Sequence, residues 1–424
     1  MHTLVPRHTR ARAAAALLAL APAALAAQTP TLLTADPVVQ RAMAAMPTLQ
    51  AWTLEQQVSI CEIPAPPFKE QARAEAFRSR LIALGYADAR IDAEGNVIVR
   101  IGRGRGPVVM IAGHLDTVFP EGTDVRTTRT GARIAGPGMG DDCRGLAVLL
   151  TLARVLKEQR VEPAGTLFLV GNVGEEGPGN LRGVRHLFTK EFPGQIQYFI
   201  SVDGAGGGAI TSRAVGSHRY TVSFEGPGGH SYGAFGMANP MHAMGRAIAN
   251  IADLRVPTTP KVTYNVGIVR GGTSVNTITP LAQMEIDMRS ESPDALATVD
   301  AQIRAAIDAG AAAERARWPN SRAAITVRYD TIGIRPTGAQ SDDTPLVRIA
   351  WAAVESLGWI PATTASSTDA NLPIALGIPA ITINGGGRSS GAHGTEEVYE
   401  ELPDSYKGPQ LALLIVTALT GIAR

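Results

Sequence analysis

The chain has 424 residues, 39 basic against 38 acidic, long enough for two or three domains and too evenly charged for a polycationic surface that grips nucleic acid or an anionic membrane. With 45 Gly and 28 Pro it is loop-rich without reaching low-complexity composition, so a folded protein follows. Two cysteines, Cys61 and Cys143, cannot make a disulfide framework; one bridge is open to them, but two free thiols is the preferred reading because a chain this long needs no staple.

The first 26 residues have the layout of a signal peptide. Arg7, Arg10 and Arg12 precede an apolar run from Ala13 to Ala21, and Ala24-Leu25-Ala26 is an A-x-A cleavage pattern. The apolar run is too short to span a bilayer, and small residues follow it where an uncleaved anchor would need a stop-transfer pattern. The expectation is an exported chain, periplasmic or secreted, with no stable membrane anchor.

Beyond the signal, a short helix is expected over Pro47 to Ile60 and another over Ala72 to Leu84, ended by Gly85. Short apolar runs at Val97 to Ile101, Val108 to Ala112, Thr166 to Val170 and Gln197 to Val202 read as strands, the last three apolar on both faces. With a helix from Leu146 to Leu156 between them, they indicate an α/β domain with a largely parallel sheet. From about residue 214 the pattern changes. Arg219 to Phe224, Lys261 to Val269, Leu281 to Arg289 and Ala323 to Tyr329 read as strands, with helices at Pro240 to Ile251 and Pro293 to Arg317. That β-α-β-β-α-β order is ferredoxin-like and its sheet antiparallel. The first style resumes with a helix at Pro345 to Leu357, a strand at Ile378 to Ile383 and a helix at Ser405 to Ile422. The expected organisation is a discontinuous domain, 27–213 and 333–424, interrupted by an inserted domain, 214–332. No Walker loop or G-x-S-x-G elbow occurs, and the glycines of 136–140 lack dinucleotide-binding spacing.

Acidic and histidine residues gather just past the strand ends: His114 and Asp116, Glu175 and Glu176, Asp203, and His393 beyond a glycine-rich loop. In open α/β sheets the carboxyl ends of the strands form the ligand crevice, so these side chains should converge. Singly each is an ordinary capping or surface group. Together they repel one another unless a cation is present, and His with Asp and Glu suits an ion such as Zn²⁺. Asp141, before the central helix, is placed to bridge two ions.

The motifs His114-Leu115-Asp116-Thr117-Val118, Gly140-Asp141-Asp142, Gly174-Glu175-Glu176-Gly177, Val202-Asp203 and Gly391-Ala392-His393-Gly394-Thr395-Glu396-Glu397 stand in the order of a known family. Over nearly the whole mature chain the sequence resembles the co-catalytic zinc exopeptidases and deacylases that include peptidase T, glutamate carboxypeptidase and aminoacylase. The resemblance implies a zinc-exopeptidase catalytic domain with an inserted lid and dimerisation domain. It implies two Zn²⁺ (Co²⁺ or Mn²⁺ being possible substitutes), with His114 and Asp203 on one, Glu176 and His393 on the other, and Asp141 between. Asp116 would accept a hydrogen bond from the other ring nitrogen of His114, and Glu175 would be the general base. His230 matches the family's lid histidine, often supplied by the partner subunit of a homodimer, while Asn276 and Arg289 match substrate-binding positions. Substrates would be short peptides or, alternatively, N-acyl or N-carbamoyl amino acids; a noncatalytic metal-binding protein is the alternative of another class, and retention of Glu175 argues against it. The sequence departs from many relatives at Cys143-Arg144, where they carry Lys, and Asp369 takes no firm role.

Overall fold

In a computed structural model, residues 31–424 are described; the expected signal segment lies outside them. Helix α1 (Pro37–Ala45), absent from the sequence reading, is started by Asp36, whose Oδ1 accepts the Val38 N–H at 2.8 Å. The helix expected from Pro47 begins only at Gln50 (α2, Gln50–Cys61) after a 3₁₀ turn. Next come α3 (Gln71–Ala83), β1 (Arg90–Ile91), β2 (Val97–Ile101), β3 (Val108–His114), α4 (Cys143–Glu158), β4 (Thr166–Asn172), β5 (Tyr198–Val202) and β6 (Ala209–Ala214).

The inserted unit follows: β7 (Gly216–Glu225), α5 (Pro240–Ala252), β8 (Val262–Gly271), β9 (Leu281–Ser290), α6 (Pro293–Arg317) and β10 (Thr326–Arg335). The return comprises β11 (Gly338–Ala339), α7 (Pro345–Ser356), β12 (Ala362–Ser366), β13 (Ala380–Ile383) and α8 (Lys407–Thr420).

The main sheet runs β1-β2-β4-β3-β5-β13-β6-β11, with β12 also paired to β6. Its centre is parallel, as the βα alternation requires: β4 with β3, β3 with β5, β5 with β13. β2 runs antiparallel to β4. Side chains of β3 alternate between two cores. Val109 and Ile111 pack with residues of α1 to α4, α7 and α8, while Met110 and Ala112 pack with Phe168, Phe188 and Phe199 on the other face. A strand buried on both faces is therefore apolar throughout.

The inserted sheet runs β8-β9-β7-β10, antiparallel at every pairing. Alternation divides its faces. Tyr220, Val222, Phe224, Met284, Ile286 and Met288 face α5 and α6 in a separate core, leaving Arg219, Asp287 and Arg289 on the opposite face. The two helices approach closely at Gly310, where an added Cβ would collide with the Ala247 backbone. The last strand begins three residues later than expected and runs on to Arg335. Among the described residues, no helix is long and apolar enough to cross a membrane.

The cysteines correct the free-thiol reading. Cys61, ending α2, and Cys143, opening α4, form a disulfide with Cα atoms 5.5 Å apart, within the usual range for a bridge.

Candidate active site

Each expected ligand sits where the sheet ends. His114 is the last residue of β3, and Asp203 follows β5 directly. Asp141 precedes α4, whose N-cap is Asp142. The Asp142 carboxylate receives the Gly145 N–H at 2.9 Å and the His114 N–H at 3.0 Å, so one side chain fixes both the helix start and the strand end. Gly145 lets α4 come this close, since an added Cβ would overlap the Val202 carbonyl oxygen. His393 lies on the loop after β13 in a left-handed conformation, φ 66°, uncommon for a residue with a side chain and a known mark of functional positions. Glu397 secures that loop by accepting the Gly140 N–H at 2.9 Å.

The side chains meet in two trios that share Asp141. His114, Asp141 and Asp203 each offer a ligand atom within 4.8 Å of the others, and so do Asp141, Glu176 and His393. His114 Nε2 is 2.9 Å from Asp141 Oδ1, while His393 Nε2 is 3.3 Å from Asp141 Oδ2 and 3.2 Å from Glu176 Oε1. Burial drives the carboxyls of Asp142 and Asp203 well above the ordinary range and Glu175 up to about 8. Burial also acts upward on Asp141, but hydrogen bonds from His114 and His393 outweigh it and hold this carboxyl well below that range. A buried acidic cluster of this kind needs cations, and one imidazole with two carboxylates per trio is the donor chemistry of a pair of divalent ions. The residues fit a dinuclear centre.

Asp116 meets the other ring nitrogen of His114, but through its backbone. Its backbone carbonyl lies 3.0 Å from His114 Nδ1, with the carboxylate 3.8 Å away. The carboxylate instead accepts the backbone N–H groups of Glu175 at 3.1 Å and Glu176 at 2.8 Å, shaping the loop that presents them.

A cavity of about 230 Å³ opens on the cluster, lined by Asp141, Glu175, Glu176, Asp203 and His393 together with Arg219, Arg289 and Arg335. Arg219 and Arg289 both bond Asp287, at 2.7 and 2.8 Å. A larger groove, about 670 Å³, lies between α2 and the 127–134 segment and contains none of these ligands. His230 and Asn276 do not line the cavity of this chain. They are exposed neighbours in the inserted domain, where Gly229–His230 pairs with Thr277–Ile278.

Sequence reasoning missed Asp142, Arg219 and Arg335. An Asp directly before a helix is an available capping signal for the first. Arg219 stands on the polar side of an alternating strand, and the sequence around Arg335 carries no pattern. Asp369 proves to be buried and takes the Asn172 amide at 2.7 Å.

The sequence model of peptidase family M20/M25/M40 matches residues 110–417. The chain belongs to that family, and it is a metal-binding hydrolase of peptide or amide bonds. A putative succinyl-diaminopimelate desuccinylase of Mycobacterium tuberculosis is 28% identical over 243 residues, 56% of this chain and 67% of the relative. Among solved structures, the di-peptidase Dug1p of Saccharomyces cerevisiae superposes with TM-score 0.71 at 15% identity, covering 91% of this chain and 99% of that one. A dinuclear metal-binding M20 peptidase of Bacillus subtilis gives TM-score 0.61 at 19% identity, covering 88% and 99%. These two likenesses concern the fold.

Proposed function

We propose that this chain is an exported di-zinc exopeptidase that hydrolyses short peptides. The observation that carries the reading is the pair of His and carboxylate trios sharing Asp141, with Glu175 beside them and Arg219, Arg289 and Arg335 lining the same cavity. His114 and Asp203 would hold one ion, Glu176 and His393 the other, and Asp141 both. When bound, the ions supply Lewis acidity to the attacked carbonyl and the attacking water. Glu175 accepts the proton of that water as its oxygen bonds to the carbonyl carbon, then delivers the proton to the nitrogen as the C–N bond breaks. Arg289 is available to a substrate carboxylate in bidentate fashion.

The proposal includes a homodimer formed through the inserted domain, whose edge strand β8 carries exposed Ile268 and Val269. His230 would then enter the partner's cavity and stabilise the oxyanion, with Asn276 beside it. Export is supported by the basic, apolar and A-x-A order of the first 26 residues and by the disulfide, which persists in oxidising compartments.

N-acyl amino acid hydrolysis is a second reading, favoured by the similarity to a desuccinylase; N-carbamoyl substrates belong with it. A screen of di- and tripeptides beside N-acetyl, N-succinyl and N-carbamoyl amino acids, with products identified, decides between them. Release of an amino acid from a peptide supports the first, cleavage of acylated amino acids alone supports the second, and no hydrolysis by protein with two metal equivalents rejects both.

A further inference from the structure

The two chain crossings between the domains lie side by side. Ser217 pairs with Arg335 and Ala214 with Gly338, so β7 and β10 of the inserted sheet continue as a two-stranded ribbon into β6 and β11 of the main sheet. One buried side chain clamps both crossings: Asn371 Nδ2 donates to the Val215 carbonyl at 2.8 Å and to the Pro336 carbonyl at 3.1 Å. Asn371 Oδ1 in turn accepts the Thr368 N–H at 2.9 Å. The ribbon is thereby fixed against the segment 366–371, of which Ser366, Ser367 and Thr368 line the cavity.

Arg335 stands at the end of that ribbon and is nearly fully buried. Its Nη1 donates to Glu175 Oε1 at 2.8 Å and to Ser367 Oγ at 3.1 Å. Its Nη2 donates to the Glu175 carbonyl oxygen. Among the described residues it is the one basic side chain that hydrogen-bonds Glu175, and no protein group donates to Glu175 Oε2.

We propose that Arg335 is a positioning residue for the reaction, holding the Glu175 side chain by one oxygen so that the other is presented to the water, and tying that orientation to the hinge of the inserted domain. A planar guanidinium that bonds both the carboxylate and the carbonyl of one residue sets the direction of the side chain as well as its place. Because the anchor lies on the returning strand beside the crossing that Asn371 clamps, the base is held at the junction of the two domains. This role rests on Glu175 being the base.

The test compares wild type, Arg335→Met, Arg335→Lys, Glu175→Gln and Glu175→Gln/Arg335→Met, each loaded with zinc, on the fastest-cut substrate of the screen. Metal content and melting are measured alongside. Arg335→Met should lower kcat about 10²-fold with KM within about twofold and both metals retained, and Arg335→Lys should regain about tenfold. In the Glu175→Gln background the same Met substitution should cost less than about threefold, because its effect passes through the group already removed. An equal loss in both backgrounds overturns the proposal and leaves the base in place. So does a rise in KM with kcat unchanged, which marks a substrate ligand. Near-normal kcat in Glu175→Gln overturns the base, and the role of Arg335 with it. Should the Met variant fold poorly or lose metal, Arg335→Lys decides alone: kcat about tenfold down at normal KM supports the role, and wild-type kcat rejects it.

Discussion

Glu175 and Glu176 are consecutive, yet the geometry gives them different work. Glu176 Oε1 points at His393 and shares a ligand trio with Asp141, whereas Glu175 is turned toward Arg335. Glu175→Gln should therefore keep both metals and lose about 10² to 10⁴-fold in kcat, since an amide of the same shape cannot accept the proton. Glu176→Gln should instead lower metal content, read by elemental analysis. Full metal and normal turnover in Glu175→Gln would place the base elsewhere. At this scale His114, Glu176 and Asp203 were legible because each comes soon after an apolar run that reads as a covered strand, and strand ends converge. The work of the Asp116 carboxylate was not legible because proximity in sequence to His114 hides the loop 59 residues away that it serves. Arg335 was invisible because its partner is 160 residues distant and belongs to the other domain.

Between elements, the disulfide joins the end of α2 to the first turn of α4, next to the loop that carries Asp141. It spans 82 residues in sequence, a long loop whose closure in the unfolded chain corresponds to about 4.5 kcal/mol in the chain-entropy relation, against about 2–4 kcal/mol for a typical disulfide. A thiol reductant should lower the melting temperature of the wild-type protein and leave a Cys61→Ser/Cys143→Ser variant, which already melts lower, unmoved. Equal melting of both proteins before reduction would show that the bridge contributes nothing. Composition argued against the bridge because a count of two says nothing about distance; only the packing of α2 on α4 brings the sulfurs together. The long strand ending at Arg335 was shortened in the sequence reading for a related reason: a register shift between Thr331 and Gly333 breaks its alternation. By contrast, the helices with clear periodicity, such as 240–251 and 293–317, were read within a few residues.

For the molecule as a whole, metal and fold are linked. Without metal, burial holds the carboxyls of Glu175, Glu397 and Asp369 up at about 8, 7 and 6. Acids with raised values in the folded state bind protons more tightly folded than unfolded, so the metal-free protein loses stability as pH rises from about 4 to about 8. Zinc binding needs its imidazole and carboxylate ligands unprotonated, so it strengthens over the range in which the metal-free fold weakens. The gain in melting temperature on adding zinc should be larger at pH 8 than at pH 5; an equal or smaller gain would reject the link. The proposed dimer has its own test. In an equimolar random mix of Glu175→Ala and His230→Ala chains, half the dimers are mixed, and each of those has one complete site if His230 acts across the interface. Activity should recover to about a quarter of wild type, and no recovery after verified subunit exchange would reject the trans role.

The placing of β13 also fixes an order of events in time. Ala380–Ile383 lies between β5 and β6, pairing with both, so the middle of the main sheet stays open until the chain has passed residue 383. A nascent chain that has reached Arg335 already holds everything the inserted domain's own core contains, and it holds His114, Asp141, Glu176 and Asp203, but it has neither the strand that closes the sheet nor His393. Contacts of such long sequence separation form late. The proposed metal centre is therefore incomplete until the chain has passed residue 393, and a chain ended before that point carries four of the five proposed ligands.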